Sequence, residues 1–123
     1  MSEHVQGSTI LVVEDEALID LDLEDALQAA GLVPISVNSC EQAEDYLAEN
    51  RPDAAVLDVS LPDGDCTNVA EKLFDQGVPF VVHTGALIDS VDPVFQLGEL
   101  VPKPADAEVI VDRIRSMLFA CPA

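Results

Sequence analysis

The sequence predicts an α/β domain: an open, doubly wound sheet of five parallel strands with helices on both faces. Three observations carry this. The runs Ile10–Val13, Ala54–Leu57 and Val78–Val82 are continuously apolar rather than alternating, which suits strands buried on both faces. Between the runs, apolar residues recur at helical spacing. Strand and helix alternate along the chain, and such alternation closes into a parallel sheet through right-handed crossovers. At 123 residues, 49% of them hydrophobic, the chain has room for one domain with a core of its own.

Residues 1–8 read as a polar, flexible tail, and residues 9–123 as the domain. The first strand is Ile10–Val13. The first helix places Ile19, Leu23, Ala26, Leu27 and Ala30 on one face, and Gly31 stops it. A weaker run, Leu32–Val37, gives the second strand. Ser39 followed by Gln42 is a capping-box pattern opening the second helix, whose buried stripe is Ala43, Tyr46 and Leu47. Ala54–Leu57 is the third strand. Val69, Ala70 and Leu73 face inward from a third helix closed by Gly77. The fourth strand follows at Val78–Val82. In Ala86–Glu99 the Asp92-Pro93 pair discourages a long helix, so a short or broken one is expected. Leu100–Val101 is the fifth strand, and Val109, Ile110, Ile114, Met117 and Leu118 form the stripe of the last helix.

Charge narrows the function. Twenty-four acids against five bases give a formal charge of −19. Such a surface repels phosphate backbones and anionic lipids, so nucleic-acid and membrane roles are not expected. The cysteines at 40, 66 and 121 are odd in number and far apart, with no C-x-x-C pair, which argues against a disulfide framework or a zinc site. The start of the chain has no signal-peptide pattern, and no apolar run is long enough to cross a membrane. A reduced, cytoplasmic location is the expectation.

In open α/β sheets ligands bind beyond the carboxyl ends of the strands. Those ends carry Glu14-Asp15-Glu16, Asp58, Thr84-Gly85 and Lys103-Pro104. Converging carboxylates repel one another unless they are neutralised. A hard divalent cation such as Mg²⁺ takes oxygen ligands and relieves the crowding. Lys103 adds a point positive charge and Thr84 a hydroxyl. The set suits phosphoryl transfer, with Asp58 able to form an acyl phosphate.

Four motifs, I-L-V-V-E-D-E at 10–16, V-L-D-V-S-L-P-D-G at 56–64, H-T-G at 83–85 and K-P at 103–104, occur in one order and spacing. With them the chain, from Thr9 to about Leu118, resembles the CheY-like receiver domain of two-component response regulators. The resemblance implies strand order 2-1-3-4-5. It implies that Asp58 is the phosphoacceptor, and that Glu14, Asp15, Asp58 and the Ser60 carbonyl hold Mg²⁺. Thr84 and Lys103 would bind the phosphoryl group, supported by Gly85 and by Pro104 after a cis peptide. The donor would be a sensor histidine kinase or a phosphotransfer protein. Apart from its own phosphorylation and dephosphorylation, no enzyme activity is implied.

The chain departs from the family pattern in places. Leu100 stands where a switch aromatic is usual, and Ala105 where Phe is common. Thr84 and Lys103 are 19 residues apart, a short spacing, which reduces the helix between the fourth and fifth strands. P-F-V-V-H-T-G-A at 79–86 is similar to the P-F-x-F-A-T-G motif of a subfamily of single-domain receivers, from which His83 and Ala86 deviate.

Plainer readings compete. Asp58 could be a turn residue, Thr84 a helix cap and Lys103 a solvated surface lysine. Glu16 is assigned to the helix dipole, His83 to packing, and Cys66 to an unreactive loop thiol. The expected function is a phosphorylation switch that signals through protein contact to a downstream protein the sequence does not name. The alternatives are a phosphate sink or shuttle, a pseudo-receiver that binds without phosphorylation, and a Mg²⁺-dependent aspartyl phosphatase. Ser60, where such phosphatases carry a second acid, weighs against the last. The oligomeric state is left open.

Overall fold

A computed structural model describes residues 7–59, 66–85, 93–103 and 105–120. Five strands, β1 (Thr9–Val13), β2 (Val33–Val37), β3 (Ala54–Leu57), β4 (Phe80–Thr84) and β5 (Glu99–Pro102), form one sheet. Every pair is parallel, in the order β2-β1-β3-β4-β5. Among the described residues four helices, α1 (Ala17–Ala29), α2 (Cys40–Glu49), α3 (Thr67–Asp75) and α4 (Ala107–Ala120), cover it, with a 3-10 helix at Pro93–Leu97. The predicted order and class are what the chain adopts.

The continuous runs are apolar because each central strand is covered twice. Leu11 and Val13 of β1 face α2 and α3, joining Leu47, Leu57, Val69, Leu73, Phe80 and Phe95. Ile10 and Val12 turn the other way and pack with Leu23, Leu27, Val56, Val81, Ile110 and Ile114 under α1 and α4. Fully burying each such side chain stabilises the fold by roughly 1.5–3 kcal/mol. The edge strand β2 has no fully buried residue, which explains its weaker signal.

Local signals set the helix ends. Ser39 Oγ accepts a hydrogen bond from the Gln42 N–H at 3.1 Å, and Gln42 Oε1 accepts from the Asn38 N–H at 3.0 Å. The capping box therefore forms, with its return bond shifted one residue upstream. Gly31 and Gly77 close α1 and α3 at φ of +82° and +71°, the left-handed region open to glycine.

Three expectations are corrected. The fourth strand runs two residues later than its apolar run. The Val78 N–H donates to the Leu73 carbonyl at the end of α3, and the strand continues through His83 and Thr84. Val109 lies exposed on α4 and Val111 is buried in its place, because Ile110 and Ile114 set the inward face. The stretch before β5 does carry the short helix expected of it, a 3-10 helix starting at Pro93, while residues 86–92 lie outside the described residues. Last, Cys40 and Cys66 are joined by a disulfide. Twenty-six residues separate them, but the N-termini of α2 and α3 lie side by side on one face of the sheet, and Cys66 is not a free thiol.

Candidate functional site

The site forms where the sheet runs out. Beyond the last residues of the ladder, the Glu14 N–H donates to the Val37 carbonyl at 3.1 Å and the Asp58 N–H to the Val13 carbonyl at 3.0 Å. The Lys103 N–H donates to the Thr84 carbonyl at 2.9 Å. Each bond extends the sheet by one rung, so β1, β3, β4 and β5 deliver Glu14, Asp58, Thr84 and Lys103 to one edge. All but Lys103 are buried, with Glu14 at 3% and Asp58 at 5% exposure.

Lys103 is the hub. Its Nζ lies 3.0 Å from Asp58 Oδ2, 3.3 Å from Glu14 Oε1 and 3.2 Å from Glu16 Oε1. Burial works against the ammonium. The hydrogen bond and charge of Asp58, with Glu14 and Glu16, outweigh that and hold its pKa above the ordinary lysine value. Burial acts on Glu14 in the opposite sense. It pushes the carboxyl up to about 7, helped by the hydrogen bond and negative charge of Asp58 and resisted by the Glu16 N–H and Lys103. One ammonium does not neutralise the acids packed around it.

Carboxylate oxygens of Glu14, Glu16 and Asp58 lie within 4.8 Å of one another. A donor set made of carboxylate oxygen alone, together with the raised Glu14 pKa, fits a hard divalent cation of the Mg²⁺ kind. This geometry adds Glu16 to the acids that the sequence singled out. Asp15, expected to be a ligand, is exposed and not among the converging carboxylates. Glu16, assigned to the helix dipole, stands at the N-cap of α1 but makes no side-chain cap, and its carboxylate reaches Lys103 instead. The Glu16 N–H bonds back to Glu14 Oε2 at 3.2 Å, which ties residues 14 and 16 together at this edge. One signal for Glu16 was readable beforehand, since glutamate is not a favoured N-cap and its carboxylate was free to act elsewhere.

Thr84 is buried at the end of β4, one pair across from Pro102. At Gly85 an added Cβ would meet Lys103 Cβ at 4.0 Å, an ordinary contact. His83 is buried, and burial, with the charge of Lys103, lowers its pKa. Ser60 and Pro104 lie outside the described residues.

Residues 10–115 match the family model described as response regulator receiver domain. Among curated proteins, the chain is similar to the transcriptional regulatory protein CseB of Streptomyces avermitilis, 32% identical over 113 residues covering 89% of this chain and 48% of that protein. It is also similar to the transcriptional regulatory protein PhoP of Escherichia coli (strain K12), 31% identical over 115 residues covering 89% and 51%. The chain spans about half the length of these relatives. Among solved structures, a putative response regulator from Chloroflexus aurantiacus aligns with a TM-score of 0.79 and 26% identity, covering 93% of this chain and 99% of that one. The receiver domain of sensor histidine kinase PA1611 from Pseudomonas aeruginosa, described with a magnesium ion coordinated in its active site cleft, has the same fold. It aligns with a TM-score of 0.78 and 22% identity, covering 93% and 99%.

Proposed function

Since the chain belongs to the receiver-domain family of two-component response regulators, we propose that it is a phosphorylation switch whose acceptor is Asp58. The observation that carries this is the contact set of Lys103, which ties Asp58 Oδ2 to the same ammonium as Glu14 and Glu16. A phosphohistidine on a sensor kinase or phosphotransfer protein is the donor. Its P–N bond breaks as a P–O bond to the Asp58 carboxylate forms, and the imidazole leaves with a proton. Charge builds on the transferring oxygens, so positioning and neutralisation are most of the catalysis. The 3.0 Å contact of Lys103 with the acceptor oxygen supports its pairing with a phosphoryl oxygen, and Thr84, buried at the end of β4, would donate its hydroxyl.

Glu14, Glu16 and Asp58 would hold Mg²⁺, with the Ser60 carbonyl and Asp15 as the further ligands the family resemblance supplies. When bound, the ion neutralises acid crowding and screens the incoming phosphoryl charge. Phosphorylation at Asp58 then draws Lys103 away from Glu16 and Glu14, a change in charge pairing that biases two states of the surrounding loops.

The output is contact with a downstream protein. The named relatives are transcriptional regulators of about twice this length. At −19 the present residues are themselves poorly suited to touching a phosphate backbone. A cytoplasmic setting accords with a kinase donor, and no described helix is long and apolar enough to cross a membrane.

Intact-mass spectrometry after incubation with acetyl phosphate and Mg²⁺ tests the switch. The chain should gain one phosphoryl group and Asp58→Asn none. No gain under any phosphodonor would leave a binding module that works without phosphorylation.

A further inference from the structure

We propose that the cavity beside His83 is a site for a divalent transition-metal cation of the zinc kind, held by the His83 imidazole and the Asp22 carboxylate. It lies apart from the acid site and takes a softer ion.

The imidazole is what points here. His83 is 2% exposed, and among the described residues neither of its ring nitrogens has a hydrogen-bond partner. Buried polar groups are nearly always paired, so two bare nitrogens on one ring call for a ligand. Strand pairing fixes where the ring stands: His83 pairs with Val101 between β4 and β5. Two residues after Val81, it shares that residue's face of the sheet, under α1 and α4.

A cavity of about 40 Å³ lies at this point, lined by His83 and Asp22 and walled by Leu23 and Ile110. The small side chains of Ala105 and Ala107 leave the room. Two departures from the family pattern, His83 and Ala105, therefore meet in one place. About 10–15 Å³ admits one water, so the space takes one ion with about two waters.

The approach is acidic. Asp22 and Ala107 also line a groove of about 510 Å³, whose other carboxylates are Asp25, Asp106 and Glu108. Such a groove raises the local concentration of cations at the mouth of the cavity. Burial and the charge of Lys103 lower the pKa of the ring, so at pH 7 it is neutral, the form that ligates a metal. The charge of Lys103 also opposes a cation here, and Asp58 and Glu16 offset it. Donor chemistry then selects the ion. Imidazole suits Zn²⁺, Cu²⁺ and Ni²⁺, whereas the carboxylates around Asp58 suit Mg²⁺. The bound ion ties α1 to β4, with water in its remaining positions.

The test uses the full chain carrying His4→Gln and Cys121→Ser, which leaves His83 the only imidazole and removes the thiol outside the disulfide. Zn²⁺ is titrated in excess Mg²⁺, with calorimetry for affinity and nitrogen-15 NMR for the histidine ring. One equivalent should bind, and one His83 ring nitrogen should move to the metal-bound range. His83→Leu should weaken Zn²⁺ binding by about tenfold or more, and Asp22→Asn by about tenfold. Asp58→Asn should lose Mg²⁺ affinity yet keep Zn²⁺ on His83, so the two sites fail separately. No Zn²⁺ bound, or Zn²⁺ bound with both ring nitrogens unmoved, would overturn the proposal. So would equal affinity in His83→Leu, or loss of Zn²⁺ binding in Asp58→Asn, which would place the ion among the acids. The ring signal is read in a chain that keeps His83, so it decides the matter even where His83→Leu does not fold.

Discussion

Glu14 gives the sharpest energetic prediction. Its carboxyl rises from an ordinary 4.5 to about 7 because it is buried beside Asp58. A carboxyl whose pKa is higher in the fold than in the unfolded chain holds its proton more tightly when folded. The stability it adds is complete below about pH 4.5 and is gone once the pH passes about 7. At about 1.36 kcal/mol per pKa unit, moving the metal-free chain from pH 5 to pH 8 should cost about 2–3 kcal/mol through this group alone. Other acids titrate too, so the quantity to read is the difference between wild type and Glu14→Gln. Urea unfolding in EDTA at pH 5, 6, 7 and 8 measures it. The variant should lack that part of the pH slope and be the more stable of the two at pH 8. Magnesium should restore wild-type stability at pH 8 and bind more tightly as the pH climbs through 7, since it needs the ionised carboxylate. Identical slopes in wild type and variant would refute the reasoning.

Removing Lys103 should leave Asp58 able to take up a phosphoryl group but uncouple the loop response; normal loop shifts by NMR in phosphorylated Lys103→Ala would contradict its role. The same change strands acids that shared one ammonium, so metal-free stability should drop by about 3 kcal/mol in urea titration, and Mg²⁺ should recover much of it. Glu16→Gln should weaken Mg²⁺ binding in calorimetry by about tenfold, roughly one lost charged ligand; a full effect from Asp15→Asn with none from Glu16→Gln would reverse the assignment. An added Cβ at Gly98 would lie 2.5 Å from the Phe80 ring and 2.8 Å from its carbonyl oxygen. Gly98→Ala should therefore destabilise by about 1–3 kcal/mol, and an unchanged urea midpoint would show that the 3-10 helix can shift aside.

The fold was legible because burial on two faces leaves a plain mark. Ile10–Val13 and Ala54–Leu57 read as apolar throughout, and their alternate residues divide between two cores. The acid site was legible because Glu14, Asp58, Thr84 and Lys103 stand at strand ends, where a parallel sheet presents side chains to one edge. What escaped depended on contacts between distant residues. Nothing near Cys40 announces Cys66; their pairing follows from α2 and α3 sharing one face. Val109 and Val111 are alike in sequence, and the rotation of α4 decides between them. Glu16 joins Glu14 and Asp58 through a contact with Lys103, which depends on where β5 sets that lysine.

The central claim is that Asp58 carries the phosphoryl group. Borohydride reduces an acyl phosphate to an alcohol, so an aspartyl phosphate is converted to homoserine at its own position. The chain, phosphorylated in Mg²⁺ and then treated with borohydride, should yield a peptide with homoserine at position 58 and no other aspartate altered. Homoserine elsewhere, or none in a chain that has gained phosphoryl mass, would contradict the account.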